Sequence, residues 1–299
     1  MTRPARPDTA VTPTTARRPW PMAVRLLIVF VGFFALAIAR SIAESVSEEP
    51  SPSVAALLVG PVLVAAVVVA GTLALLALGR WMDRRPERDY GVGLPPRGRQ
   101  LGLGLLLGAL AITAVLGLFL AAGLVEVETV EWRVTSGAVA FAAVVGLGLS
   151  YSAGAFAEEA VFRGYWFDVL RERLSVWVSA FVMSVPFAAI HFVSEGVSPG
   201  FVVGAVVGSV FFVATRLLTG SLWFAVGLHA AWNAVQYTVL GISTIDDPAH
   251  SHSLLHLRRT GSTVWTGEGH ALEAGLVPIA VLALCAAVAL VLLRRRARS

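Results

Sequence analysis

Eight apolar runs, each near the roughly 20 residues that cross a bilayer as a helix, limit what this chain can fold into. They are Val24–Ala39, Val54–Gly79, Leu101–Leu124, Gly137–Ala157, Val176–Val193, Phe201–Leu218, Leu222–Ile242 and Leu272–Leu293. In hydrocarbon every backbone donor and acceptor must be paired inside the protein, so only helices and closed barrels span. A barrel is written as segments of about ten residues with alternating polarity, and these runs are continuous. The expected fold class is all-α, a polytopic membrane bundle of about eight transmembrane helices. With 57% hydrophobic and 14% charged residues and a mean hydropathy of +0.77, the chain fits no ordinary soluble domain.

Charge between the runs orders the topology. Arg80, Arg84, Arg85, Arg88, Arg97 and Arg99 lie between the second and third runs; Arg163, Arg171 and Arg173 follow the fourth; Arg216 ends the sixth. Glu44, Glu48, Glu49, Glu126, Glu128, Glu131 and Glu195 fall in the alternate loops. Positive loops face the cytoplasm, so both termini are expected there. Arg258 and Arg259 dissent, because the 243–270 segment is placed outside. Residues 1–20, rich in Pro, Thr and Arg, read as a disordered basic tail. Residues 21–293 read as the membrane domain, with a motif core at 135–242, and 294–299 as a second basic tail. Residues 80–100 read as an interfacial or loop segment whose arginines suit lipid headgroups.

The net charge of +4 is loop asymmetry rather than affinity for nucleic acid. All 23 basic residues are Arg, which hints at a bacterial host and a bacterial cell membrane. The one cysteine, Cys285, sits in an apolar run and excludes an intrachain disulfide or a CxxC metal site. Arg17, Arg18 and Arg25 before the first run and Ala37-Ile38-Ala39 at its end resemble a cleaved leader. The length of the run and the spans that follow favour an uncleaved helix.

Polar residues inside the runs are few and costly, and such residues usually mark function. Glu158 and Glu159 close the fourth run, with Arg163 four residues on. On a helix Glu159 and Arg163 share a face, while Glu158 lies about 100° round and is free for chemistry. The fifth run carries Phe187 and His191, and the seventh carries His229 and Asn233 four apart on one face. With a turn near 173–175, Glu158 and His191 fall at about the same height in an antiparallel hairpin. That requires helix to continue well past Arg163. Trp232, Gln236 and Tyr237 lie near the seventh-run site or simply pack. Gly200, Gly204 and Gly208 have the spacing of close helix packing. His250, His252, His256 and His270 belong to a polar outer loop that could also bind a metal.

In order, E-E-x-x-x-R (Glu158, Glu159, Arg163), F-x-x-x-H (Phe187, His191) and H-x-x-x-N (His229, Asn233) resemble the CAAX prenyl endopeptidase and bacteriocin-processing family of intramembrane proteases, the ABI or Rce1-like group. The resemblance covers about residues 135–242. It implies an intramembrane endopeptidase whose site lies inside the bundle, open to the cytosolic side. It implies Glu158 as the base that activates water, His191 as its helper, and His229 and Asn233 as oxyanion donors. Glu159, Arg163 and Phe187 become supporting residues.

The chemistry is coherent, because peptide hydrolysis needs a base and donors for the developing oxyanion. A metal-free glutamate mechanism is preferred, since H-E-x-x-H is absent and Asn is a poor zinc ligand. Zn²⁺ held by Glu158, His191 and His229 is the alternative. The expected partners are the lipid bilayer and a membrane-associated protein or peptide substrate, with no nucleic acid. The rival functions are a non-catalytic membrane binding or bacteriocin-immunity protein and a transporter that relays protons through Glu158. No repeat or broken-helix pair supports the transporter.

Overall fold

Serines start three of the long helices, where an N-cap oxygen satisfies an otherwise unpaired N–H. Ser53 caps α2 (Val54–Asp83), Ser136 caps α4 (Gly137–Glu158), and Ser198, followed by Pro199, caps α7 (Pro199–Thr219). Gly220 ends α7 in the left-handed conformation (φ 68°), which permits the immediate return into α8 (Trp223–Thr238). The remaining helices are α1 (Met22–Val46), α3 (Gly98–Ala121), α5 (Phe167–Leu170), α6 (Val176–Glu195), α9 (Thr263–Thr266) and α10 (Leu276–Arg296). The computed structural model describes residues 19–46, 53–93, 97–130, 136–195, 198–242, 253–267 and 272–298, with backbone alone at 43–46 and 192–195. The expected basic tail therefore lies outside the described residues up to residue 18, as do His250, His252 and His270.

The chain is an all-α polytopic membrane bundle. Six described helical stretches are long and apolar enough to span: those of α1, α2, α3, α7 and α10, and the continuous stretch Gly137–Leu170. The apolar part of α6, Val176–His191, and the 16-residue α8 are shorter. Among the six, the Gly137–Leu170 stretch and α7 are the most buried and α1 and α10 the least, so the former pair is central and the latter peripheral.

Helices in lipid gain little from hydrophobicity and must approach closely to associate. Two contacts show how. On α3, Gly104 and Gly108 lie against the Phe224 and Leu228 carbonyls of α8, and Gly227 of α8 lies against the Leu101 carbonyl. A methyl group at any of the three would strike backbone. Gly200 and Gly204, whose spacing suggested helix packing, instead receive the carbonyls of Ala274 and Glu273 from a 3₁₀ turn (Leu272–Ala274).

The basic segment after α2 is more than an interfacial loop. Tyr90 is buried, at φ 52°, and its hydroxyl donates to Asp83 Oδ2 at 3.0 Å. Burial and then the Asp83 carboxylate push the Tyr90 phenol well above its ordinary range, so it remains a donor. Asp83 also pairs with Arg25 of α1 at 2.7 Å, and Arg25 pairs with Glu172 at 2.6 Å. The Gly91 carbonyl accepts from Leu222 N (2.8 Å) and the Gly93 carbonyl from Trp223 Nε1 (3.0 Å), which sets the start of α8.

At the far end, β1 (Val125–Val130) pairs antiparallel with β2 (Leu255–Arg259), with a bulge between Val127 and Thr129. This small sheet accounts for the dissenting arginines. Arg258 pairs with Glu126 and Glu128, and Arg259 donates to Thr266 and Gly267. His256 stands opposite Thr129 within the same pair of strands.

Candidate active site

The expected α-helix past Glu158 is present but changes type. Glu158 is the last α residue, and Glu159–Trp166 form a π-helix before α5 resumes. π-turns are rare and tend to occur at functional sites. A widened turn leaves carbonyls poorly paired, and Arg216 of α7 supplies donors to the carbonyls of Arg163 and Gly164. The same guanidinium pairs with Asp168 at 2.8 Å. The sequence carried no local sign of this, because Arg216 is 53 positions from Arg163.

The two glutamates diverge as expected. Glu159 is fully buried and Arg163 is 1% exposed, with Nη1 to Oε1 at 3.2 Å. Arg163 also donates to Ser209 (3.2 Å), and its guanidinium carbon lies 4.2 Å from the Phe187 ring centroid and 5.3 Å from that of Phe212. The Glu159–Arg163 pair was legible as i,i+4; the Ser209 and aromatic partners were not.

Glu159 has a second role that the spacing did not show. Its Oε1 accepts from His229 Nδ1 at 3.0 Å. The other ring nitrogen of His229 lies 3.8 Å from Glu158 Oε2. The imidazole thus stands between the two acids, stacked on Phe212 at 5.3 Å and 22°. On α6, the Phe187 carbonyl lies 2.9 Å from His191 Nδ1. A carbonyl only accepts, so Nδ1 is the donor in this contact. Phe187 therefore orients His191 by its backbone and covers Arg163 with its ring.

Glu158, His191, His229 and Asn233 line one cavity of about 160 Å³, together with Arg163 and Phe187. All seven sequence-selected residues are thus assembled around it, with Glu159 behind Arg163 and His229. Trp232 and Tyr237 line it too. Trp232 Nε1 donates to Glu273 at 3.0 Å, and Tyr237 stacks on Tyr151 at 4.4 Å. Gln236 is buried. Two charged lining residues were not anticipated: Arg40 of α1 and Glu273 of the 3₁₀ turn. Arg40 could have been noticed as a charge near the end of an apolar run. Gly208 lines the cavity rather than a helix contact.

Among the described residues, no three His, Cys, Asp or Glu side chains are grouped to hold a metal ion. His229 Nδ1 is engaged by Glu159, which leaves Nε2 turned toward Glu158.

Residues 140–235 match the family described as Type II CAAX prenyl endopeptidase Rce1-like. The chain carries an Rce1-like domain. This domain runs from α4 into α8 and includes Glu158, Glu159, Arg163, Phe187, His191, His229 and Asn233. Arg40 and Glu273 fall outside it. No curated protein and no solved structure matches the chain. The Rce1-like domain and these apolar helices make the chain an integral multi-pass membrane protein. The family as a whole supports an intramembrane CAAX endopeptidase acting on a membrane-associated substrate.

Proposed function

We propose that this protein is an intramembrane endopeptidase in which Glu158 activates water for attack on a peptide bond of a membrane-associated protein or peptide. The observation that carries this reading is the convergence of Glu158, His191, His229 and Asn233 on one cavity inside the bundle. Glu158 takes a proton from water, and the resulting hydroxide oxygen bonds to the scissile carbonyl carbon. The carbonyl oxygen becomes an oxyanion beside the Asn233 amide, an unconditional donor. His229 Nε2 donates to it when the ring carries both protons, since Nδ1 is committed to Glu159. Glu158 then returns the proton to the departing amine as the C–N bond breaks. His191 Nε2 accepts a hydrogen bond from the attacking water on this reading. The basic end of the bundle is the cytoplasmic one on this reading.

The test compares wild type with Glu158→Gln on lipidated and transmembrane peptides in liposomes, with and without a zinc chelator. The expected result is cleavage by wild type that survives chelation and falls about 10²- to 10⁴-fold in the variant. Equal cleavage by the two proteins overturns Glu158 as the base. Loss on chelation, restored by Zn²⁺, replaces the glutamate mechanism with a metal one. Binding without cleavage of any peptide by wild type assigns the chain to the immunity or scaffold class.

A further inference from the structure

A second cavity, about 350 Å³, adjoins the first and shares Glu158 and His191 with it. Its walls mix apolar side chains, Phe33, Leu36 and Ile190 among them, with the polar Ser41 and Tyr151. Arg40 is the one arginine of its lining among the described residues. We propose that Arg40 recognises a carboxylate on the substrate and thereby selects which peptides are seated against Glu158. This rests on the endopeptidase reading above.

The placement of Arg40 is built by three helices. Its guanidinium carbon lies 5.8 Å from the ring centroid of Tyr151 on α4, and Tyr151 stacks on Tyr237 of α8 at 4.4 Å and 11°. A Cβ at Gly154 would collide with Arg40 Nη1. Tyr151, Gly154 and Glu158 are spaced i, i+3 and i+7, so they form one stripe of α4. The missing side chain at 154 thus lets the guanidinium dock about one helical turn, roughly 6 Å, from the level of Glu158.

The electrostatics favour an anion at this point. A carboxylate entering the cavity beside the Glu158 side chain meets like charge wherever both acids are deprotonated. A fixed guanidinium one turn away reverses that, and its planar fork matches a carboxylate bidentately where Lys would not. Arg40 lies outside the family-matched residues. The carboxylate has two possible sources, the end of a peptide chain or an acidic side chain.

The experiment reads binding in a Glu158→Gln background, where chemistry is removed. Three N-palmitoylated, dansyl-labelled octapeptides of Ala and Leu are titrated in micelles: one with a free C-terminal carboxylate, one amidated, and one amidated with Glu at its penultimate position. With Arg40 present, the free carboxylate is expected to bind about 10- to 100-fold tighter than the plain amide. Arg40→Gln is expected to bring the two within about twofold, and Arg40→Lys to keep part of the difference. Recovery of affinity by the Glu-bearing amide assigns the side-chain source, and no recovery assigns the chain end. A ratio near one with Arg40 present overturns the proposal. So does a ratio that persists in Arg40→Gln, or an Arg40→Gln that weakens all three probes alike. Arg40-dependent discrimination with no cleavage of the probes by wild type removes the endopeptidase reading and leaves the carboxylate site standing.

Discussion

His229 and Glu159 are 70 positions apart and meet in a hydrogen bond of 3.0 Å between Nδ1 and Oε1. That bond decides which imidazole nitrogen faces Glu158, and so which can face a substrate. Replacing Glu159 frees the ring to turn. Glu159→Ala is expected to lower kcat by about 10- to 100-fold with little change in KM, as loss of a residue that orients its neighbour does. Glu159→Gln keeps an acceptor oxygen and should recover part of the rate. Steady-state cleavage in liposomes separates the two variants.

Asn233 is the donor whose capacity does not depend on protonation. Asn233→Ala is expected to reduce kcat by about 10²- to 10³-fold. Asn233→Asp should be no better, because an acceptor would replace the donor beside a developing negative charge. The check is kcat for all three proteins on one lipidated peptide.

Gly108 touches no polar site residue, yet a Cβ there would strike the carbonyl of Leu228, the neighbour of His229. Gly108→Ala must push α8 away from α3, and a misplacement near 1 Å can cost about 10²-fold in rate. Gly102 on the same helix has open space where its Cβ would go. Gly102→Ala should therefore be neutral, and the pair of variants measured side by side isolates the effect of moving α8.

Asp83 and Arg25 form a buried ion pair, with 1% and 3% of their side chains exposed. Asp83→Ala leaves Arg25 with Glu172 alone and the buried Tyr90 hydroxyl without its acceptor, and is expected to cost about 1–3 kcal/mol. Glu126→Ala removes an exposed partner of Arg258 and should change stability by about 1 kcal/mol or less. Thermal unfolding in detergent distinguishes them.

Glu172 links stability to pH. Burial by itself would raise its carboxyl, but the hydrogen bond and charge of Arg25, with Arg88 and Arg85 behind it, hold the carboxyl below its ordinary value of 4.5. A lowered folded value means the unfolded chain takes up the proton first. The stabilisation is then complete above the ordinary value and is lost as pH falls through the folded one. Tm in detergent should hold steady down to about pH 5.5 and then drop. Glu172→Gln should start lower at neutral pH and show a shallower acid limb.

Much of the site was legible because helix periodicity is local. The four-residue spacing of Glu159 and Arg163 forced a shared face, and the hairpin count put Glu158 near His191; the first two form an ion pair and the last two line one cavity. The π-turn escaped notice because its donors come from Arg216 on α7. The Gly200 and Gly204 spacing was visible, but its partner, the turn at 272–274, could not be read from α7 alone. Arg258 looked like a topological exception until β1 supplied Glu126 and Glu128.

What the amino-acid order settles here is the solvent. Runs of apolar residues as long as a bilayer is thick admit helices and little else, and polar residues stand out against them. Which atoms of those residues face one another is settled by packing: His229 turned by Glu159, Arg40 docked on the bare backbone of Gly154, and α8 seated in the glycine notch of α3. Hydrophobicity is summed along a segment, whereas a cavity is a surface made by side chains far apart in the chain. Only close contact between the helices gives it a shape and a charge.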